Sequence, residues 1–318
     1  MLGAAWWCLL AASLWLPAIS SRLPAAWAAQ STGEARPDVN LSVNSTLVVI
    51  PVTVTDASNR FVLGLEKQNF ALFEDGARQS ISQFAAEDAP LSVGLLIDTS
   101  GSMGTKLGTS RQAVAQVLEV LNAQDEALLI EFNDRPTLAV PFTHDFGSID
   151  DKLGSMESQG LTALLDSVGM GLKEMKKARN PRKALLIISD GGDNNSRYTA
   201  QEIESLVREA DVQVYSMGVF EPFSNLHLSE SELTGPALLA ELSEQTGGRL
   251  FPARSFGAMP SIARKIAIEL RNQYVLAYSP TKHERDGKYR RVEVKVDPPQ
   301  GLTALKARWR LGYYAPAQ

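Results

Sequence analysis

Cysteine is almost absent from this sequence. The single cysteine among 318 residues is Cys8, which lies in an apolar N-terminal segment. A chain without that segment has no thiol, which excludes disulfide bonds and cysteine-based redox or metal chemistry. Histidine is scarce as well: His144, His227 and His283 are far apart and fall in predicted loops, so each is interpreted as a solvated loop residue rather than a general base.

The chain has no large excess of one charge sign. It carries 31 Lys and Arg against 36 Asp and Glu, a formal net charge of -5, and both signs are spread along its length. No basic stripe is available to nucleic acid or to an anionic membrane surface. We therefore expect no nucleic-acid partner, and membrane contact only through the N-terminal segment if that segment is retained.

Signatures of common enzymes are missing from the sequence. Residues 101–106 resemble part of a phosphate-binding loop, but the first glycine of the GxxxxGK[ST] pattern is absent, and no GxGxxG follows the first strand of the predicted α/β region. No GxSxG pattern surrounds Ser100, Ser102 or Ser189. The chain is therefore predicted not to be an enzyme.

The first residues differ in kind from the rest. Residues 4–19 are almost continuously apolar, and Ala26-Trp27-Ala28 fits the small-x-small pattern of a cleavage site. We interpret residues 1–28 as the signal peptide of an exported protein and residues 29–40 as a linker. Because no Lys or Arg precedes the apolar run, an uncleaved membrane anchor is the alternative. Export predicts a periplasmic, cell-envelope or extracellular location.

Two kinds of periodicity divide the remaining chain. Residues 41–89 and 273–318 alternate apolar and polar positions with a period of two and contain turn sequences such as Glu74-Asp75-Gly76, which predicts strands. Each of these segments is too short to form a good core alone, so we expect them to pair into one sheet module. Residues 90–272 instead alternate apolar strand-like runs with helical stripes.

The order of elements in residues 90–272 is β-α-β-β-α-β-α-β-α-β-α. This order predicts a doubly wound, Rossmann-like and mostly parallel sheet with helices on both faces, and an antiparallel hairpin around residues 133–136. The predicted fold class is therefore α/β, with this domain inserted in or flanked by the small β-sheet module.

Three polar segments fall at the carboxyl ends of the predicted strands or beside them. They are Asp98-Thr99-Ser100-Gly101-Ser102 after the first strand, Thr162 in the GLTALLD segment that opens a helix, and Asp190 after the fourth strand. In an open parallel sheet such positions meet at one edge. Two carboxylates and three hydroxyls are hard oxygen ligands, which suit Mg²⁺, with Mn²⁺ and Ca²⁺ as alternatives, better than zinc or copper. Each segment alone also fits a turn or a helix cap, but their coincidence predicts a metal site.

The same segments resemble the von Willebrand factor type A family, whose metal-ion-dependent adhesion site combines an Asp-x-Ser-x-Ser loop with a later Thr and a still later Asp. The resemblance covers residues 90–272 and implies that Ser100, Ser102 and Thr162 bind the cation directly, while Asp98 and Asp190 act mostly through water. The flanking segments FALFEDG and YVLAYSP resemble those of an exported bacterial subfamily.

The resemblance implies a metal-dependent protein-binding module outside the cytoplasm, with adhesion or assembly as its role. Neutral hydroxyls leave a bound dication electrophilic, so a carboxylate from a protein partner can take the open ligand position. Two alternatives stay open. One is an envelope scaffold that binds its partners without metal, and the other is a metal-dependent hydrolase that uses the same oxygen ligands.

Overall fold

A computed structural model describes residues 47–86, 89–220, 230–299, 301 and 304–317. The predicted signal peptide (1–28), the predicted linker (29–40) and His227 lie outside these residues. In chain order, the strands are β1 (Val48–Thr55), β2 (Phe70–Glu74), β3 (Ala77–Gln79), β4 (Gln83–Ala85), β5 (Leu91–Asp98), β6 (Glu126–Phe132), β7 (Pro136–Thr143), β8 (Arg182–Ser189), β9 (Gln213–Val219), β10 (Leu250–Ala253), β11 (Tyr274–Tyr278), β12 (Tyr289–Val296), β13 (Lys306–Trp309) and β14 (Gly312–Tyr314). The helices are α1 (Leu107–Leu118), α2 (Phe146–Gly154), α3 (Leu164–Met175), α4 (Ala200–Glu209), α5 (Glu230–Glu244) and α6 (Met259–Arg271). No helix of the described chain combines the length and apolar character needed to cross a bilayer.

The central sheet has the strand order β10-β9-β8-β5-β6-β7. Every neighbouring pair in it is parallel except β6 and β7, which form a tight hairpin in which Phe132 pairs with Pro136. All residues of β5 are buried, as expected for a strand that is covered on both faces. Strand β5 therefore lies in the interior of a mostly parallel sheet.

Helices cover both faces of this sheet. Side chains of α1, α2 and α6, including Val114, Leu153 and Ile266, share one buried cluster with Leu95 of β5. Side chains of α3, α4 and α5 share a second cluster with Leu96 of the same strand. Successive side chains of a strand point to opposite faces, so these two adjacent leucines belong to separate cores.

The strands that flank the α/β region form two antiparallel sheets, with the orders β13-β1-β11-β4 and β14-β12-β2-β3. In the first sheet β1 pairs with β11 and β13, and in the second β2 pairs with β12, so each sheet combines strands from before and after the α/β region. Ile50, Leu72, Leu276 and Val294 come from both sheets and share one apolar cluster. The predicted fold class, α/β with a mostly parallel sheet and a small β module, is confirmed.

The structure differs from the predicted element order between β7 and β8. One helix was expected there, and the structure has two, α2 and α3. Helix α2 is nine residues long and buries only Ile149 and Leu153. A stripe of two apolar positions is too short to register as helical periodicity.

The C-terminal part of the β module also differs from expectation. Residues 305–313 alternate apolar and polar positions without a break, which predicts a single strand, but the structure divides them into β13 and β14, which belong to different sheets. The chain crosses between the sheets near Trp309, whose Nε1–H donates to the carbonyl of Val292 at 3.0 Å. The module is thus a pair of sheets rather than the one sheet that was predicted.

A buried glutamine joins the β module to the central sheet. Gln273, between α6 and β11, donates from its side-chain amide to the hydroxyls of Thr53 in β1 and Tyr215 in β9, at 3.1 Å each. Its side-chain oxygen accepts from the guanidinium of Arg182 in β8 at 3.2 Å. Strands of both parts are therefore connected through a single side chain.

Candidate metal centre

The carboxyl ends of β5 and β8 lie side by side at one edge of the central sheet. The chain runs from β5 to β6 on one side and later returns to β8 on the other side of β5. In doubly wound sheets, ligands bind in the crevice at this change of direction. Asp98 is the last residue of β5, and Asp190 follows Ser189, the last residue of β8. The fold therefore places both predicted acidic residues at this crevice.

The Asp98 carboxylate is fully buried, and both of its oxygens are held by hydrogen bonds. Oδ1 accepts from the N–H of Ser100 at 2.9 Å, and Oδ2 accepts from the hydroxyl of Ser189 at 2.6 Å. Burial, followed by the negative charge of Asp190, raises the pKa of Asp98 to about 6. Both causes disfavour the ionised carboxylate, so a cation in this crevice would be stabilising.

The loop that carries Ser100 and Ser102 is hydrogen-bonded to the segment that carries Thr162. The N–H of Gly101 donates to the carbonyl of Gly160 at 3.0 Å. Because Thr162 lies two positions after Gly160, this bond brings the loop of the first two predicted hydroxyl ligands next to the loop of the third.

Two asparagines after β8 fix the backbone of Thr162. The side-chain oxygen of Asn194 accepts the N–H of Thr162 at 2.9 Å, and the carbonyl of Thr162 accepts the N–H groups of Asn194 and Asn195 at 3.0 Å each. Both backbone polar groups of Thr162 are thereby used. Its hydroxyl is left as the polar group that can meet a ligand.

The loop after β8 also caps helix α3. Asp193 Oδ1 accepts the N–H of Leu165 at 3.2 Å, and Ser196 Oγ accepts the N–H of Asp166 at 3.1 Å. The first N–H groups of a helix have no partner within the helix, so these acceptors satisfy donors that would otherwise need water. The loop that begins at Asp190 and the helix that begins beside Thr162 are therefore connected.

A buried ammonium group lies beside Asp190. Nζ of Lys106 is 3.1 Å from Oδ2 of Asp190, and the two side chains are only 8% and 7% exposed. The other Asp190 oxygen accepts the N–H of Gly192 at 3.4 Å. Lys106, Asp98 and Asp190 thus place one positive and two negative buried side chains at this crevice.

The donor set fits a hard divalent cation. The hydroxyl oxygens of Ser100 and Ser102 are 3.2 Å apart. Adjacent ligands of an octahedral Mg²⁺ with bonds of about 2.1 Å are separated by about 3.0 Å, so this spacing suits two ligands of one ion. Ser100 is buried and Ser102 is exposed, which leaves the Ser102 side open to solvent. Within the described residues, no group of three or more His, Cys, Asp or Glu side chains could hold a metal ion, so a cation here depends on the hydroxyls as well.

The contributions of Lys106, Ser189 and Asn194 were missed at the level of sequence. Ser189 could have been noticed because it is a polar residue that ends an apolar strand. Lys106 could not, because its partner Asp190 is 84 positions away and no local pattern joins them. Asn194 lies 32 positions from Thr162, and its role likewise depends on the folded loop.

Comparison with known families agrees with this geometry. Residues 93–192 match the family model of the von Willebrand factor type A domain. This stretch begins inside β5 and ends just after Asp190. It therefore includes all five predicted metal-binding residues: Asp98, Ser100, Ser102, Thr162 and Asp190.

Two relatives with similar sequences are distant. The chain is 23% identical over 209 residues to an uncharacterized protein of Borreliella burgdorferi, and 25% identical over 188 residues to the collagen alpha-1(VI) chain of Gallus gallus. These matches cover 56% and 49% of this chain, but 61% and 18% of the two relatives. The chain therefore spans about three fifths of the first relative and under a fifth of the second.

A solved structure of a von Willebrand factor type A protein from Catenulispora acidiphila is 12% identical, with a TM-score of 0.49 over 86% of this chain and 74% of that chain. The family assignment rests on the match of residues 93–192, which include most of β5, all of β6, β7 and β8 in the central sheet, and the crevice beside them. This chain therefore contains a von Willebrand factor type A domain.

Proposed function

We propose that this chain is a non-catalytic protein-binding module whose metal-ion-dependent adhesion site holds a divalent cation, with Mg²⁺ as the preferred ion. One observation carries the proposal. The hydroxyls of Ser100 and Ser102, spaced 3.2 Å apart, lie in the loop directly after the buried carboxylate of Asp98, at the edge where the sheet changes direction.

The hydroxyls of Ser100, Ser102 and Thr162 would bind the cation directly. Asp98 and Asp190 would act through water, in keeping with the hydrogen bonds that already engage their oxygens. When bound, the cation supplies an electrophilic centre for an anionic oxygen of another molecule. The chain's own part is to fix the hydroxyls and to keep the exposed side, at Ser102, open to that molecule.

A carboxylate of a partner protein is the ligand that this site favours. Hydroxyl ligands are neutral and leave the charge of the dication largely uncompensated, so an anionic oxygen gains more than a neutral one at the open position. Glu and Asp side chains are the anionic oxygens that proteins present most often. The partner is therefore proposed to supply an acidic residue.

The module is proposed to act outside the cytoplasm, in adhesion or assembly. The apolar residues 4–19 and the small residues near 26–28 support export through a signal peptide at 1–28. Residues 90–272 would form the binding domain, and residues 41–89 and 273–318 would form a β module that supports it from the side of Gln273.

Metal binding by the chain itself tests this function. Isothermal titration of MgCl₂ and MnCl₂ into the EDTA-treated and dialysed protein should show one site. Ser100→Ala removes a ligand oxygen and should weaken the affinity about tenfold or more. Ser205→Ala removes a hydroxyl that donates only to the carbonyl of Gln201 on α4, and it should leave the affinity unchanged.

Two results would count against metal-dependent binding. One is the absence of metal binding at millimolar concentration. The other is equal affinity of the wild type and Ser100→Ala, which would place the ion elsewhere.

In a companion experiment, the immobilised chain should retain partners from envelope extracts in Mg²⁺, lose them in EDTA and regain them when Mg²⁺ is restored. Retention that EDTA does not affect would favour the metal-independent scaffold, and ester hydrolysis lost in Asp98→Ala would favour the hydrolase.

A further inference from the structure

Lys106 is fixed beside the candidate metal centre by its own backbone. Its N–H donates to the carbonyl of Met103 at 2.9 Å, and its carbonyl accepts the N–H of Ser110 at 2.9 Å, in the first turn of α1. The side chain is 8% exposed and ends 3.1 Å from Asp190 Oδ2. A long cationic side chain buried in this way cannot move to solvent without leaving the Asp190 carboxylate unpaired.

The ammonium of Lys106 changes the charge balance of the crevice. Two carboxylates alone would neutralise a dication. With Lys106 included, the three side chains sum to a single negative charge, and a bound dication leaves the centre with a single positive charge. The low dielectric around these buried groups increases the effect of that unbalanced charge.

From this balance we propose that Lys106 is a residue that sets the affinity of the site: its positive charge weakens binding of the dication alone and makes retention of the dication depend on an anionic ligand. The inference rests on the metal-binding function proposed above. A carboxylate at the open position removes the excess positive charge, so metal and carboxylate strengthen each other's binding. By thermodynamic linkage the two effects are equal in size.

A purely structural role for Lys106 predicts something different. If the ammonium only filled space and paired with Asp190, its removal would loosen the loop after β8 and weaken metal binding. If its charge opposes the dication, removal of the charge strengthens metal binding. The direction of the change in metal affinity therefore separates the two roles.

The test uses the full chain with two substitutions at this position. Lys106→Gln removes the charge and keeps an N–H donor for Asp190, whereas Lys106→Arg keeps the charge. Titration calorimetry with MgCl₂ and MnCl₂ should show that Lys106→Gln binds either ion about tenfold to a hundredfold more tightly than the wild type. Lys106→Arg should bind as weakly as the wild type, and Lys176→Met, which removes an exposed lysine at the end of α3, should have no effect.

A second measurement includes a wild-type result that does not depend on the folding of any variant. Sodium acetate at constant ionic strength, compared with sodium chloride, should tighten Mn²⁺ binding to the wild type at least threefold, and this enhancement should shrink in Lys106→Gln. Equal or weaker metal affinity in Lys106→Gln, or no effect of acetate on the wild type, would overturn the role of Lys106 while leaving the metal site in place. Absence of metal binding in the wild type and in both variants would instead refute the metal-binding function itself.

Discussion

The carboxylate of Asp166, near the start of α3, holds the loop that follows β8. One of its oxygens accepts the N–H groups of Arg197 at 2.9 Å and Tyr198 at 3.1 Å, and the other accepts from the Arg197 guanidinium at 3.2 Å. Burial alone raises the pKa of Asp166, but these donors outweigh burial, and the pKa lies below its ordinary value of 3.8. The fold therefore favours the ionised form of this side chain.

At the scale of single residues, we expect Asp166→Asn to lower the free energy of unfolding by about 1–3 kcal/mol near neutral pH, because hydrogen bonds to a charged acceptor are lost. Folding lowers the pKa of Asp166. The stabilisation by its carboxylate is therefore fully present above the pKa of the unfolded state, and it is lost as the pH falls through the pKa of the folded state. Urea unfolding should thus show a constant difference between wild type and variant from pH 7 to about pH 5, and a shrinking one below about pH 4.

The exposed Asp150 on α2 gives a matched control for this measurement. Asp150→Asn removes the same charge without such contacts and should change stability by less than about 0.5 kcal/mol at any of these pH values. A destabilisation by Asp166→Asn that persists unchanged to pH 3 would show that its charge is not the cause.

Helix α5 packs backbone to backbone against the loop that carries Asp190. A Cβ on Gly235 would lie 2.6 Å from the carbonyl carbon of Gly191. Gly191 itself has a φ of 86°, a conformation that disfavours other residues. Because neither Gly191 nor Gly235 has a side chain, α5 can pack closely against the residue that follows Asp190.

At the scale of elements, Gly235→Ala should push α5 away from this loop. The neighbouring atoms are backbone and cannot rotate aside, so we expect a loss of about 1–3 kcal/mol in stability and a weaker affinity for Mg²⁺. Gly108→Ala, in α1, is the control. Its Cβ would meet nothing within 4 Å, so it should be neutral or should stabilise the helix. Thermal melts with and without Mg²⁺ measure both effects, and equal melting temperatures for Gly235→Ala and wild type would contradict the close packing.

The sequence predicted those parts of the fold and site that depend on local pattern. The alternation of apolar runs and helical stripes predicted the mostly parallel sheet with helices on both faces, and the Asp-x-Ser-x-Ser motif predicted that Asp98, Ser100 and Ser102 share one loop at a strand end, because these residues are neighbours in the chain. Two kinds of feature were not predicted from the sequence. Helix α2 has too few buried positions to make a pattern, and the change of sheet between β13 and β14 is decided by distant strands.

Contacts between residues that are far apart in the chain also join the β module to the α/β domain. Strand β1 pairs with strands that follow the entire α/β domain, and Gln273 bonds to side chains of β1, β8 and β9. Gly247, with a φ of 82°, approaches the backbone of Trp309 so closely that a Cβ would lie 2.4 Å from its carbonyl carbon. The β module and the α/β domain are therefore packed closely against each other.

At the scale of the whole molecule, we expect the β module and the α/β domain to unfold in one transition. A chain that lacks residues 1–28 retains a single tryptophan, Trp309 in β13, so its fluorescence reports on the module, whereas far-UV circular dichroism at 222 nm reports mainly on the helices. The midpoints from the two probes should agree within about 1 °C. A fluorescence transition that precedes the loss of helix would show that the module unfolds independently.

The pairing of β1 also has a consequence for synthesis of the chain. Val48 pairs with Tyr278, more than two hundred positions later, so β1 has no partner in β11 until the residues between them have been made. At synthesis rates of about 5–20 residues per second, the nascent strand waits on the order of ten to fifty seconds. During this time its unpaired backbone could recruit strands of other chains. Pro51, next to the point where pairing with β13 begins at Val52, offers no N–H to such a strand and shortens the stretch of β1 open to wrong pairing.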